Sequence, residues 1–333
     1  MKFGPLPLAG AEGAVLAHSV AMPGARLKKG HVLTAGDLDA LRAAGLSEVV
    51  AARLEPGDVS EDAAARHLAE ALLPDPEAAH LRIGPATTGR VNLHALGPGV
   101  IEVDAARINA VNAVHPMITV ATLRPWQRCA PRAMVATVKI ISYAVPEAAL
   151  AAACAAAQGG ALRLHRPVAR TATLIETDVA NDPAALGDKG RRATRARLER
   201  FGTELGPRVL VPHRTAPLAA AIRKAPGDII LILTGSATSD LHDVAPEALR
   251  AAGGEVSHFG MPVDPGNLLF YGRLGTRPVI GLPGCARSPA INGADWVLER
   301  LICGREVSPS EIAAMGVGGL LKEPPSRPRP REG

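Results

Sequence analysis

The last third of the chain alternates between short apolar runs and segments with apolar positions at helical spacing. The clearest run is Ile229–Leu233, a stretch with the length of a buried strand. Such alternation predicts βαβα order and therefore a doubly wound, mostly parallel sheet. The predicted elements are strand 171–176, helix 191–201, strand 207–211, helix 216–224, strand 229–233, helix 244–252, strand 255–259, a hairpin of 268–273 with 277–281, and a closing helix 288–302.

In the first 160 residues the apolar positions follow other spacings, and these predict smaller α+β or β-rich regions. Thr34 and Asp37 have the spacing of a capping pair for a helix that ends at Gly45. Residues 87–95 and 100–103 alternate around a Gly-Pro-Gly turn and predict a β-hairpin. The other predicted elements are strand 48–53, helix 60–73, helix 104–114, strands 117–123 and 134–143, and helix 147–158.

These patterns divide the chain into four predicted regions. They are an α/β unit over 1–75, a β-rich α+β domain over 76–160, an α/β domain over 161–305 and a Pro- and Arg-rich tail over 306–333. The tail segment 324–331 combines proline and arginine and is expected to be disordered or only loosely held.

Composition narrows the class of protein. With 333 residues the chain can bury more than one core. Its four cysteines are widely spaced without a C-x-x-C pair, so the expected state is free thiols, with neither a zinc site nor a disulfide framework. No run reaches the roughly 18 apolar residues of a membrane span. A cytoplasmic protein without a membrane partner is therefore expected.

Charge and aromatic content indicate a small anionic ligand. The net charge is +5, from 37 basic and 32 acidic residues, which is mild. Four Phe, two Trp and two Tyr are too few for the stacking platforms that bind single-stranded nucleic acid. No groove-reading motif accompanies the positive charge, so a nucleic-acid partner is not expected.

Three segments converge on the edge where open α/β sheets bind ligands, beyond the carboxyl ends of the strands. Residues 234–240 follow one strand, Glu176 and Asp178 end another, and residues 281–284 follow the hairpin. Small residues before a helix N-terminus let an anion approach unpaired backbone N–H groups. The alternative is an ordinary strand-to-helix connection.

Asp243 has two interpretations. It begins a predicted helix, where a carboxylate caps backbone N–H groups. It could also hold Mg²⁺, with Asp240 as a second oxygen ligand. His242, between them, is either a base or a solvated loop residue. The six basic residues of 189–200 scatter around a helix and predict a solvated face rather than an anion clamp.

Residues 234–247, Thr-Gly-Ser-Ala-Thr-Ser-Asp-Leu-His-Asp-Val-Ala-Pro-Glu, resemble the signature of the molybdenum-cofactor biosynthesis domain. That signature is a strand, a T-G-G-T-G or S-G-G-V-S turn, and a loop ending in Asp before V-x-P-E-A. Residues 260–273 and 278–284 resemble two further blocks of the gephyrin-like molybdenum insertase branch. The match covers roughly residues 170–303. Residues 23–34 are also similar to an insertase segment, P-G-x-x-I-x-x-G-x-x-L.

The resemblance implies an α/β molybdopterin-binding domain. Members of the family either adenylylate molybdopterin with Mg-ATP or use the adenylylated pterin to insert molybdate, and they assemble into dimers and trimers. By resemblance Asp243 is the functional carboxylate, Asp240 assists it, and both would hold Mg²⁺. The expected ligand-binding residues are Thr234, Gly235, Ser236, Thr238, Glu176, Asp178, Pro265, Gly266, Asn267, Pro283, Gly284 and Ser288.

The chain also departs from the family pattern. Ser236 replaces the second turn glycine, and Asn267 replaces the lysine of P-G-K. Cys285 and Ala286 replace Asn-Pro, although Ser288 keeps its place. Losing a charge-assisted contact costs about 1.5–3 kcal/mol of anion binding. Three functions stay open: a transferase of cofactor biosynthesis, a non-catalytic molybdopterin carrier or sensor, and a protein that binds another phosphorylated molecule such as a nucleotide.

Overall fold

The computed structural model describes residues 1–179 and 187–321. The chain forms two compact units, residues 1–97 with 101–164 and residues 98–100 with 165–333. The tail segment 324–331 lies outside the described residues. In the part of the chain that the structure describes, no helix has both the length and the apolar character needed to cross a membrane.

Residues 1–165 contain mostly short strands and four helices within the described chain. The strands are β1 (Lys2–Pro7), β2 (Val15–Leu16), β3 (Val20–Met22), β4 (Ala25–Leu27), β5 (Glu48–Arg53), β6 (Asp58–Ser60), β7 (Leu81–Ile83), β8 (Arg90–Ala95), β9 (Gly99–Val103), β10 (Ile118–Thr122), β11 (Gln127–Cys129), β12 (Met134–Ile140), β13 (Ala144–Pro146) and β14 (Leu162–His165). The helices are α1 (Ala35–Ala43), α2 (Glu61–Leu72), α3 (Ala105–Asn112) and α4 (Glu147–Ala156).

The first unit has two apolar clusters. One packs α1 against the sheet β1-β5-β2 and includes Leu16 and Leu41. The other joins α2, α3 and α4 to the sheet β10-β12-β8-β7. Leu68 and Leu72, one helical turn apart, lie in this second cluster. Helix α2 therefore packs with residues beyond the boundary predicted at residue 75.

The start of α1 confirms the predicted capping pair. The Thr34 hydroxyl accepts a hydrogen bond from the Asp37 N–H, and the Asp37 carboxylate accepts one from the Thr34 N–H. After the helix, Gly45 has a φ of +85°, the left-handed conformation that favours glycine at this position.

The hairpin predicted around the Gly-Pro-Gly turn is wrong. Strand β8 pairs with β7 and β12, whereas β9 lies in another sheet between β11 and β14. Ala95 N–H donates to the Ala133 carbonyl and Leu96 N–H to the His80 carbonyl. The end of β8 is thus held by distant segments, and the chain leaves it for a different sheet.

The second unit contains the predicted mixed α/β architecture. Its strands are β15 (Thr171–Asp178), β16 (Glu204–Leu205), β17 (Val209–Pro212), β18 (Ile229–Leu233), β19 (Glu255–Phe259), β20 (Phe270–Leu274) and β21 (Arg277–Gly281). Its helices are α5 (Lys189–Glu199), α6 (Thr215–Lys224), α7 (Val244–Ala251), α8 (Gly293–Ile302) and α9 (Pro309–Ala313). Helix α9 lies in the region that the sequence assigns to the tail.

The sheet of this unit is mostly parallel, as predicted. Its order is β16-β15-β18-β21-β20-β19, and β17 also pairs with β15. Strand β20 runs antiparallel to β19 and β21, while the other pairs are parallel. All five residues of β18 are buried at the centre. Ile230 and Ile232 pack in the core with α6 and α7. The carboxyl end of β18 lies at the edge of the sheet, where residues 234–240 begin.

Candidate functional site

The turn after β18 is held against the end of β15. Gly235 N–H donates to the Thr177 hydroxyl over 2.9 Å. A Cβ atom on Gly235 would lie 2.6 Å from the Thr177 carbonyl oxygen, so a larger residue does not fit without a shift. Thr234 and Thr238 are buried, with their hydroxyl oxygens 3.3 Å apart, whereas Ser236 is exposed.

Asp243 is the N-cap of α7. Its Oδ1 accepts from Val244 N–H at 2.7 Å, and its Oδ2 accepts from Ser239 N–H at 3.0 Å. These bonds close residues 239–243 into a compact turn. The structural interpretation of Asp243 as a helix cap is therefore observed, while its metal-binding and catalytic roles stay predictions.

Asp240 and His242 lie on the exposed side of the same turn. Asp240 Oδ1 accepts from His242 N–H at 2.8 Å. The His242 ring places Nδ1 2.9 Å from Glu247 Oε1, and this hydrogen bond is the main cause that lowers the pKa of Glu247. The ring of His242 is thus partnered by Glu247, while its backbone N–H is bonded to Asp240.

The donor chemistry of Asp240 and Asp243 fits a hard cation, because Mg²⁺ prefers carboxylate oxygens and takes few of them from the protein. Both oxygens of Asp243 already accept a backbone N–H, so a cation would use their remaining lone pairs. Across residues 1–179 and 187–321, no group of three or more His, Cys, Asp or Glu side chains could hold a metal ion.

Buried acidic residues end the neighbouring strand β15. Glu176 is fully buried, and its Oε2 accepts from Arg208 Nε at 2.9 Å. Its Oε1 has no hydrogen-bond partner among the described residues. Arg208 also donates to Asp188, the residue before α5, at 3.2 Å. Asp178 is buried at the last position of β15. The guanidinium of Arg208 therefore joins the end of β15 to the start of α5.

The third predicted loop contacts the first. Residues Gly284–Arg287 form a short 3-10 helix. Arg287 extends from it and donates from Nη2 to the Thr234 carbonyl oxygen at 2.7 Å. Two segments that are 53 residues apart in sequence thus meet at the carboxyl end of β18. Pro283 is buried, Gly284 exposed and Ser288 half-buried in this loop.

A buried arginine of α5 fixes this loop. Arg197, only 5% exposed, pairs with Asp295 of α8. It also donates to three loop carbonyls, those of Ala286, Ser288 and Ala290. The predicted solvated face is therefore wrong for Arg197. The sequence does indicate this burial, because Arg197 lies on the same helix face as the small residues Ala193 and Thr194, which are buried.

The predicted Pro265-Gly266-Asn267 segment lies against the start of α8. The Asp264–Pro265 peptide is cis, and the Pro265 carbonyl accepts from Gly293 N–H at 2.8 Å. A Cβ on Gly266 would lie 2.6 Å from the Gly293 nitrogen. Asn267 is exposed, with Nδ2 3.5 Å from the Met261 carbonyl. These contacts join the segment to α8, and none of them reaches the turn after β18.

The structure therefore brings together the turn after β18, the end of β15 and the loop after β21. The basic residues that approach this edge include Arg208 and Arg287, which sequence reasoning did not single out. Two cavities of about 490 and 450 Å³ open in the first unit and share Leu73 and Pro74 in their walls. None of the predicted site residues lines either cavity.

Comparison with protein families gives one match. Residues 5–53 match the model of a domain of unknown function, DUF8806. No curated protein matches the chain.

Solved structures similar to the chain include proteins of molybdopterin biosynthesis. The molybdopterin biosynthesis moeA protein from Pyrococcus horikoshii is 15% identical over 92% of this chain and 76% of its own, with a TM-score of 0.32. The molybdopterin biosynthesis enzyme MoaB from Thermus thermophilus is 18% identical, and the match covers 41% of this chain and 98% of that protein with a TM-score of 0.30. A CinA protein of unknown function from Thermoplasma acidophilum is 16% identical, and the match covers 36% of this chain and 91% of that protein with a TM-score of 0.23.

Proposed function

We propose that the second unit binds molybdopterin and acts in molybdenum-cofactor biosynthesis. One observation carries the proposal. Arg287, in the loop that directly follows the insertase-like block 278–284, contacts Thr234, the first residue of the turn that resembles the family signature. Segments far apart in sequence thus meet at the edge where open α/β sheets bind ligands.

The terminal phosphate of the ligand would bind at the turn after β18. The hydroxyls of Ser236 and Thr238 can donate to phosphate oxygens, and the N-terminus of α7 adds partial positive charge. The Arg287 guanidinium, already anchored on the Thr234 carbonyl, supplies a positive charge beside the turn. These groups favour a phosphate dianion over a neutral ligand.

The remaining predicted residues would hold the rest of the ligand. Glu176 Oε1, buried and without a hydrogen-bond partner among the described residues, can accept from a ring N–H. The other proposed binding residues are Gly235, Asp178, Pro265, Gly266, Asn267, Pro283, Gly284 and Ser288.

If the protein is a transferase, Asp243 and Asp240 would hold Mg²⁺ beside the phosphates. The ion, when bound, would neutralise phosphate charge during adenylylation or molybdate insertion. The chain itself would orient the reactants and exclude water instead of attacking covalently. Because Asp243 caps α7, a test must separate its cap role from its charge.

The substitution Asp243→Asn makes this separation, because asparagine caps helices about as well as aspartate but carries no charge. We expect D243N to keep the cap bond from Val244 N–H, to lose the bond from Ser239 N–H at a cost of about 1 kcal/mol, and to keep its molybdopterin affinity while losing turnover in a coupled adenylylation or insertion assay. Asp243→Ala, which removes the charge and both acceptors, should lower stability by about a further 1 kcal/mol. Unchanged turnover in D243N would contradict a catalytic role for this carboxylate.

A non-catalytic carrier or sensor is the second candidate, favoured by the neutral Asn267 and by Ser236 at positions where the resembling family has lysine and glycine. Such a protein would bind molybdopterin without consuming ATP or inserting molybdate. Turnover of about 1 per second would exclude it. Competition calorimetry with molybdopterin and ATP separates both candidates from a nucleotide-binding protein.

A further inference from the structure

His213 lies beside the proposed phosphate turn and belongs to none of the motif blocks. It directly follows β17, and its backbone N–H donates to the Asp178 carbonyl at 2.8 Å. Its half-buried ring places Nδ1 2.8 Å from the hydroxyl oxygen of Thr177. That same hydroxyl accepts from the N–H of Gly235. A single buried hydroxyl therefore links the turn after β18 to the imidazole.

The hydrogen bond to Thr177 allows two tautomers of the neutral ring, and they differ in what Nε2 can do. A threonine hydroxyl has one proton to donate and two lone pairs. Thr177 uses a lone pair for Gly235 N–H, and its hydroxyl has no further side-chain partner than His213 Nδ1 among the described residues. The hydroxyl can therefore donate its proton to Nδ1 or accept from an Nδ1–H with its second lone pair. A neutral imidazole that accepts at Nδ1 carries its proton on Nε2.

The Nε2 atom of His213 is available for a ligand. It makes no hydrogen bond to any residue within 1–179 or 187–321. Strand β17 pairs in parallel with β15, so His213 stands at the carboxyl edge of the sheet, as the turn does. Because the Thr177 hydroxyl is hydrogen-bonded to both the His213 ring and the Gly235 N–H, the ring is oriented relative to the Gly235 amide.

We infer that the Thr177 hydroxyl donates to Nδ1 of His213, and that the Nε2–H this leaves on the ring donates a hydrogen bond to an oxygen of the phosphorylated ligand held at residues 234–238. The inference rests on the proposed function and adds a donor that the motif blocks do not contain. Thr177 is the positioning residue, since it acts on the ligand only through the imidazole and the Gly235 amide.

Nitrogen-15 NMR of the histidine rings tests the geometry first. At about pH 8, where imidazoles are neutral, His213 should show the Nε2–H tautomer. The variant Thr177→Val removes the hydroxyl, and the ring should then populate both tautomers. Adding molybdopterin to the wild-type protein should shift the His213 Nε2 resonance. An Nδ1–H tautomer in the wild-type protein would overturn the inference.

Calorimetry under anaerobic conditions tests the contact. His213→Ala should weaken molybdopterin binding about fivefold to tenfold, the effect of one lost hydrogen bond. His213→Gln keeps a side-chain N–H donor and should stay within about threefold of the wild type. His258→Ala, a half-buried histidine on β19, is the matched control and should bind as the wild type does.

The outcomes separate the two claims. If the wild type binds molybdopterin while His213→Ala binds equally well and the Nε2 resonance stays fixed, the contact of His213 with the ligand is disproved and the proposed function is supported. If the wild type binds neither molybdopterin nor inorganic phosphate, the proposed function falls and the inference falls with it.

Discussion

Asp37 shows how one carboxylate stabilises a helix start. Its Oδ2 accepts from the Thr34 hydroxyl at 2.6 Å and the Thr34 N–H at 2.9 Å, and it lies 2.8 Å from His31 Nε2. Hydrogen bonds to the charged form, that of the Thr34 hydroxyl first, lower the pKa of Asp37 from 3.8 to about 2. A carboxyl whose pKa is lower in the folded state stabilises the fold only while it is ionised.

We therefore predict a pH-dependent effect of Asp37→Asn. The stabilisation by Asp37 should be complete above about pH 4 and disappear as the pH falls towards 2. Solvent screening keeps it to about 1 kcal/mol. Urea denaturation of the wild type and D37N across this range measures it, with the exposed Asp39→Asn on the same helix as control. A difference between wild type and D37N that does not change with pH would contradict the account.

Residues whose partners are close in sequence could be predicted, and those with distant partners could not. The Thr34–Asp37 pair is three residues apart, so spacing alone identifies it. Arg197 and Asp295 are 98 residues apart, so the helix pattern can place Arg197 on the face of Ala193 and Thr194 but cannot identify its partner. His213 was missed for the same reason, because its partner Thr177 lies 36 residues earlier.

At the scale of elements, α5 holds the loop after β21 in place. Removing the Arg197 side chain would leave Oδ1 of Asp295 and three loop carbonyls without the donor that Arg197 supplies. We predict that Arg197→Met lowers the free energy of unfolding by about 3–5 kcal/mol, the usual result of breaking a buried ion pair. Arg195→Met, exposed on the same helix, should change it by less than about 0.5 kcal/mol.

A double-mutant cycle measures this coupling. In chemical denaturation, Asp295→Asn combined with Arg197→Met should cost less than the sum of the single changes, because the unpaired buried charge is then absent. Strict additivity would mean that Arg197 and Asp295 do not stabilise the loop as a pair.

The existence of elements was easier to predict than their pairing. Strands β8 and β9 both occur where the alternation predicts them, but the hairpin between them does not form. A Gly-Pro-Gly turn permits a hairpin without requiring one, and the choice of partner depends on which distant strands complete each sheet. The βαβα pattern of the second unit was more informative, since parallel strands need crossovers and leave fewer topologies.

At the scale of the molecule, the sequence predicted the mostly parallel sheet of the second unit and the edge at which its loops gather. In the first 164 residues, α2 follows the first small core in sequence but packs in the next one. The segments of the predicted site also differ in what they contact. The turn after β18 is joined directly to β15 and to Arg287, whereas residues 265–267 pack on α8.

The most direct test of molybdopterin binding is mass spectrometry of the small molecules released from anaerobically purified protein. The wild type should release molybdopterin in an amount close to that of the protein. Gly235→Ala should release far less, because the added Cβ would meet the Thr177 carbonyl at 2.6 Å and displace the turn. Gly206→Ala, whose nearest neighbour would be 3.5 Å away, should retain it. A nucleotide in place of molybdopterin, or equal release from Gly235→Ala and the wild type, would contradict the account.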